Sequence, residues 1–130
     1  VSGYVLDDLA LLAGLTGQEQ HRRELSRLLH DAVGGGPRLA IPAFCLAGLA
    51  AEGRLVVATH LADIIAAAPA GTVEVCGLAR TDRLEWVRTV YPWLPWPAAH
   101  ATVWAQSVGA PILTVDPDRY KAVAVDVLSL

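Results

Sequence analysis

The chain has 130 residues, 54% of them apolar and only 18% charged, which suits one compact domain with a sizeable core and excludes a disordered chain. A net charge of −3 excludes general electrostatic attraction to nucleic acid, so any such binding has to be local or metal-mediated. No apolar run reaches bilayer length, and Asp7 and Asp8 interrupt the opening residues too early for a signal peptide.

Tyr4-Val5-Leu6 is a short apolar strand that runs directly into Asp7 and Asp8. Leu9 to Ala13 is a strong helix former, so the opening reads as the first strand–helix unit of a parallel α/β sheet. The acidic pair has two readings. One carboxylate caps the helix, a favoured role for Asp. Alternatively, Asp7 is a metal or phosphate ligand, because parallel sheets bind ligands beyond the carboxyl ends of their strands. Gly14 and Gly17 mark a break, and Gln18 to Val33 is an amphipathic helix with Leu25, Leu28, Leu29 and Ala32 as its apolar stripe. Its other face carries Arg23, Arg27 and His30, a solvated surface or a contact for RNA phosphates. Gly34-Gly35-Gly36-Pro37 terminates it.

Arg38 to Ile41 is a second strand, and Pro42 suits the first turn of a nearly all-apolar helix from Ala43 to Ala51. Val56 to Ala68 is a further helix, Thr72 to Cys76 a third strand, and Thr81 to Val90 an amphipathic helix. Tyr91-Pro92-Trp93-Leu94-Pro95-Trp96-Pro97 is a proline-broken aromatic loop, suited to core packing or to a partner interface. A helix follows from Ala98 to Val108, then a strand from Ala110 to Asp116, a turn or short helix at Asp118-Arg119-Tyr120, and a last strand from Val123 to Leu130. Cys45 and Cys76 lie in apolar runs and read as buried, reduced thiols, in keeping with a cytoplasmic setting.

Strands alternate with helices along the whole length, which predicts a single α/β domain over 1–130 with a mainly parallel sheet of about five strands. Asp7 and Asp116 each follow a buried-type strand. Brought to one rim of the sheet, their carboxylates repel unless a cation lies between them, and a hard divalent ion resolves that conflict. A response-regulator receiver needs an acceptor Asp on the middle strand, and Thr72 to Ala79 has none. The Asp-x-Asp of haloacid-dehalogenase phosphatases opens its fold, whereas Asp116-Pro117-Asp118 stands near this chain's end.

Tyr4-Val5-Leu6-Asp7 with Leu9 to Ala13, Ile41-Pro42-Ala43-Phe44-Cys45-Leu46-Ala47, Ala98-Ala99-His100-Ala101 and Gly109 to Asp116 together resemble the ordered motifs of PIN domains, VapC-type toxins in particular. The resemblance implies a three-layer α/β/α sandwich and a ribonuclease dependent on Mg²⁺ or Mn²⁺ held by three or four acids. On it, Asp7 and Asp116 take the first and last acidic positions as catalytic metal ligands, with Thr114 the usual neighbour of the last. The two middle positions hold Gly48, where the family has Glu, and Ala98, where it has Asp. The resemblance therefore implies impaired or absent catalysis, with no metal necessarily bound. Its alternative is an active ribonuclease in which Glu52, one helical turn beyond Gly48, supplies a substitute carboxylate. Asp8 and Asp118 are further candidate ligands, and Thr114 and His100 are candidate substrate contacts, His100 having a plain helix-face role as its other reading. The implied partners are RNA, a small antitoxin and a second copy of the chain. Trp86 to Trp96 is the candidate contact surface.

Overall fold

The computed structural model describes residues 2–78 and 81–130. Among them, β1 (Gly3–Leu6), β2 (Arg38–Pro42), β3 (Val73–Cys76), β4 (Ile112–Thr114) and β5 (Val127–Ser129) form one sheet. Its order is β3-β2-β1-β4-β5, and the four pairings are all parallel. Between the strands lie α1 (Asp8–Thr16), α2 (Glu19–Val33), α3 (Ala43–Ala51), α4 (Leu55–Ala67), α5 (Thr81–Val90) and α6 (Trp96–Val108), with a 3₁₀ turn at Pro117–Tyr120.

The sheet grows from β1 through β2 to β3, then returns past β1 to add β4 and β5. Right-handed crossovers place helices on opposite faces when the direction reverses. Accordingly, α2 lies against β2 and β3, while α6 lies against β1, β2 and β4. The result is the expected α/β/α sandwich, with β1 in the middle and the reversal falling between β1 and β4. The strands are covered on both faces, which is why they read as apolar runs. Val5, Leu6, Ile41 and Ile112 are fully buried among Leu11, Leu61, Val87 and Leu94.

Several boundaries differ from the sequence expectation, each for a local reason. Helix α1 runs through Gly14 instead of breaking there. A Cβ on Gly14 would lie 2.5 Å from Leu25 Cδ2 and 2.7 Å from Leu25 Cβ, so the glycine lets α1 and α2 approach closely. Helix α6 starts at Trp96, with Pro97 in its first turn, where a missing N–H costs no hydrogen bond. It ends at Gly109, whose φ of 66° is left-handed. The last two strands are shorter than expected. The chain leaves β4 after Thr114 to start the 3₁₀ turn at Pro117, and Ala122 adopts a φ of 68° before β5.

The basic face of α2 is paired within its own helix. Arg23 bonds Glu19 at 2.7 Å, and Arg27 bonds Glu24 at 2.6 Å and Asp31 at 2.8 Å. These pairs are exposed to solvent and contribute little to stability. In the aromatic loop, Leu94 alone is fully buried, while Trp86, Trp93 and Trp96 are about half exposed. Arg88 donates to the carbonyls of Pro92 and Leu94 and lies 4.7 Å over the Trp96 ring, which shapes the loop from the end of α5. Both cysteines are free and buried. Among the described residues, no helix is long and apolar enough to cross a membrane.

Gly14→Ala is expected to destabilise the fold by about 1–3 kcal/mol through overpacking against Leu25, against the gain that helix propensity alone predicts. Urea unfolding reads the sign directly.

Candidate functional site

Parallel sheets bind ligands where the strand order reverses, outside the carboxyl ends. Here that place is the crevice beyond β1 and β4, and Asp7 stands at its floor. Its side chain is fully buried. Oδ1 accepts from the N–H of Ala10 at 2.8 Å, so Asp7 is the N-cap of α1. Oδ2 accepts from the Tyr120 hydroxyl at 2.7 Å and from Arg119 Nη1 at 3.3 Å, and Thr114 adds a further side-chain hydrogen bond. Asp8, one-fifth exposed, takes the Arg119 guanidinium on both oxygens: Nη1 at 2.6 Å from Oδ1 and Nη2 at 3.3 Å from Oδ2.

Burial raises the pKa of Asp7 above the ordinary aspartate range. Hydrogen bonds from Ala10, Thr114 and Tyr120 oppose the rise, and the charge of Asp8 adds to it. Burial also works against the charge on Arg119, but its bonds to Asp8 and the charges of Asp8, Tyr120 and Asp7 outweigh that and hold it firmly protonated. Burial, then the charge of Asp7 and the bond to it, push the Tyr120 phenol far up, so Tyr120 is a fixed donor. Beneath the pair, burial and the charges of Asp8 and Asp7 keep Cys45 a neutral thiol, which donates to the Pro97 carbonyl at 3.2 Å.

Of the two positions where the resemblance implies acids, Gly48 lies against Asp8. A Cβ on Gly48 would lie 3.5 Å from Asp8 Cβ and 3.6 Å from Pro97 Cγ, both ordinary contacts. Ala98 follows Pro97 in the first turn of α6 and is fully buried. Asp116 and Asp118 are exposed, Asp116 preceding the 3₁₀ turn and Asp118 within it. Thr114 is buried and accepts from the Asp116 N–H at 3.2 Å. Glu52 is exposed at the C-cap of α3. His100 is only 2% exposed. Its Nδ1 accepts from the Phe44 N–H at 3.3 Å, and its Nε2 lies between the Gly77 carbonyl at 3.1 Å and the Trp104 indole Nε1 at 3.2 Å. Burial lowers its pKa, the bond to Gly77 opposing. In that setting His100 ties α6 to the start of α3 and the end of β3.

A divalent cation does not fit these donors. Both oxygens of Asp7 and both of Asp8 are committed to protein N–H and O–H groups. Among the described residues, no three His, Cys, Asp or Glu side chains are placed to hold a metal ion. Sequence pattern marks Asp7 but leaves Arg119 and Tyr120 unmarked. Their signal is their place just after Asp116, where β4 delivers the chain back over the cleft.

No protein-family model matches the chain, and no curated protein matches it significantly. Among solved structures, the VapBC2 complex of Rickettsia felis, bound to a DNA fragment from its promoter, contains a chain with a TM-score of 0.65 and 14% identity, covering 98% of both chains. A PilT N-terminus (PIN) domain protein from the archaeon Sulfolobus solfataricus has a TM-score of 0.55 and 12% identity, over 97% of this chain and 85% of that one. The chain has a VapC-like PIN-domain fold. Asp8 on α1, Gly48 on α3 and Pro97 at the start of α6 lie against one another, and Arg119 binds the carboxylates beside them.

Two outcomes follow. Asp7 holds its proton more tightly folded than unfolded. Its contribution is therefore most favourable below the unfolded value near 3.8 and is lost as pH rises through the higher folded value. Asp7→Asn removes that loss, so its stability relative to wild type should rise from about pH 4 to about pH 7. Paired urea titrations test this, and a falling difference contradicts it. Gly48→Ala, meeting only ordinary contacts in a helix interior, should stabilise the chain by about 0.5–1 kcal/mol, the opposite sign to Gly14→Ala.

Proposed function

We propose that this chain is a VapC-like PIN-domain protein that works by binding, with catalysis impaired or absent. The observation that carries the reading is the state of Asp7: at the catalytic position of the fold, both its oxygens accept hydrogen bonds from the protein itself. Each oxygen of this carboxylate is thus already engaged by the protein, and Arg119 stands beside Oδ2 as a positive charge that disfavours a second cation. Gly48 and Ala98 supply no carboxylate in its place. That no three His, Cys, Asp or Glu side chains among the described residues are placed to hold a metal ion supports the same reading.

The partner we propose is a small antitoxin-type protein, an extension to this chain of the pairing named for the Rickettsia felis VapBC2 complex. The face formed by Trp86, Trp93 and Trp96 is the proposed contact surface, because half-exposed tryptophans beside arginines make good anchors at protein interfaces.

A ribonuclease assay on a mixed set of labelled RNAs, with Mg²⁺ and with Mn²⁺, tests the catalytic half of this proposal. Wild type is expected to cut no more than Asp7→Asn does. Metal-dependent cleavage by wild type that disappears in Asp7→Asn would instead establish an active nuclease, with Glu52→Gln then deciding whether that residue serves as the substitute carboxylate.

A further inference from the structure

The acidic cleft holds a cation already, and it is part of the chain. Arg119 is only 12% exposed and contacts two carboxylates at once, Asp8 through both of its terminal nitrogens and Asp7 through one. Its backbone is fixed at both ends of the residue. The Arg119 N–H donates to the Asp116 carbonyl at 3.2 Å, and the Arg119 carbonyl accepts from the Trp93 indole at 3.3 Å. The next residue, Tyr120, is 3% exposed and brings its hydroxyl to the remaining position on Asp7 Oδ2. The 3₁₀ turn thus presents a positive group and a neutral donor, side by side, to the carboxylate pair.

We infer that Arg119 is the resident counter-cation of the cleft, a guanidinium standing where the fold would otherwise place a divalent ion. The argument is one of charge and of space. Two buried or half-buried carboxylates side by side need a compensating charge. A four-acid site calls for a doubly charged ion. With Gly48 and Ala98 in two of the four places and Asp116 exposed, the acids to be answered here are Asp7 and its neighbour Asp8, and one guanidinium and a phenol hydroxyl bond both. Arginine suits the task, since it stays charged when buried and its planar fork matches a carboxylate on two atoms. With the guanidinium in place, Asp7 and Asp8 have no free oxygen to offer a metal, so the cleft is closed to one. This rests on the non-cutting reading above but makes a separate claim, about what neutralises the acids.

The test compares wild type with Arg119→Ala, and with Arg119→Gln as a second variant that keeps more of the packing. Binding of Mn²⁺ is read by loss of the free-ion EPR signal, and melting temperature is measured in EDTA and in MnCl₂. Wild type should leave the Mn²⁺ signal unchanged and melt at the same temperature in both solutions. Both variants should melt lower than wild type in EDTA, by about 10 °C. They should take up Mn²⁺ and recover part of that loss in its presence. If Arg119→Ala does not fold in EDTA, Arg119→Gln carries the comparison, and refolding of Arg119→Ala in Mn²⁺ is the expected rescue. Mn²⁺ uptake by wild type overturns the inference, and so does a variant that gains no more from Mn²⁺ than wild type gains. Uptake by wild type without RNA cleavage would remove the counter-cation and leave the proposed function standing. RNA cleavage by a wild type that takes up no Mn²⁺ would do the reverse.

Discussion

A fully buried carboxylate has to be answered by its surroundings, and the surroundings of Asp7 account for much of this molecule. Leaving an ionised group uncompensated in the interior costs several kcal/mol, about 3–5 when a partner is lost. Asp7 reduces that cost with donors from three places: the first turn of α1, the end of β4 and the 3₁₀ turn after it. Each donor belongs to a different segment, so the carboxylate pins those segments to one another. It serves as a helix cap and as the centre of a polar cluster at the same time. The two readings that its sequence context leaves open are therefore not exclusive.

The topology explains why this cluster falls where it does. Because β1 is central and the strand order reverses beside it, the ends of β1 and β4 lie at the switch point of the sheet, where Asp7 meets the 3₁₀ turn. Helices α1, α3 and α6 meet beside Asp7 through Asp8, Gly48 and Pro97. Around Asp7 and Asp8 this chain carries Gly48 on α3 and an arginine, Arg119, supplied from the C-terminal side. Fold and chemistry are separable here in a concrete way. The frame is that of a VapC-like PIN domain, and the contents of its cleft are the chain's own.

The parts of this that can be read in the linear chain are the local ones. The apolar strand running into Asp7, the stripe of α2, and the stops at Gly34 and Gly109 depend on near neighbours and on periods of two or 3.6. Whether Asp7 faces solvent or protein depends on Tyr120, which is 113 positions away, and its neighbour Arg119 reaches Asp8 across 111. Such pairings leave no periodic trace. Asp116 shows the same limit from the other side. Its place after an apolar strand suggests a buried ligand, but the strand ends two residues earlier, at Thr114, and the side chain emerges into solvent. The Gly14 contact with Leu25 is likewise tertiary, so a residue that looks like a helix breaker is a spacer between helices. The aromatic loop divides evenly: its prolines announce irregular backbone, yet only the folded chain shows that Leu94, and not a tryptophan, goes inside.

The bond between the Trp93 indole and the Arg119 carbonyl joins residues 26 positions apart and closes a circuit that contains α6 and β4. Arg119 is thereby a two-ended part, its side chain seated in the cleft and its backbone hung from a half-exposed tryptophan on the outer surface. In mechanical terms the pair is a linkage. The guanidinium cannot withdraw from Asp8 by a movement of its backbone without straining the indole. Equally, the indole cannot swing away without releasing one of the two backbone anchors that hold the guanidinium over the acids. Order in the interior of the cleft is in this way inherited from order in the loop outside it.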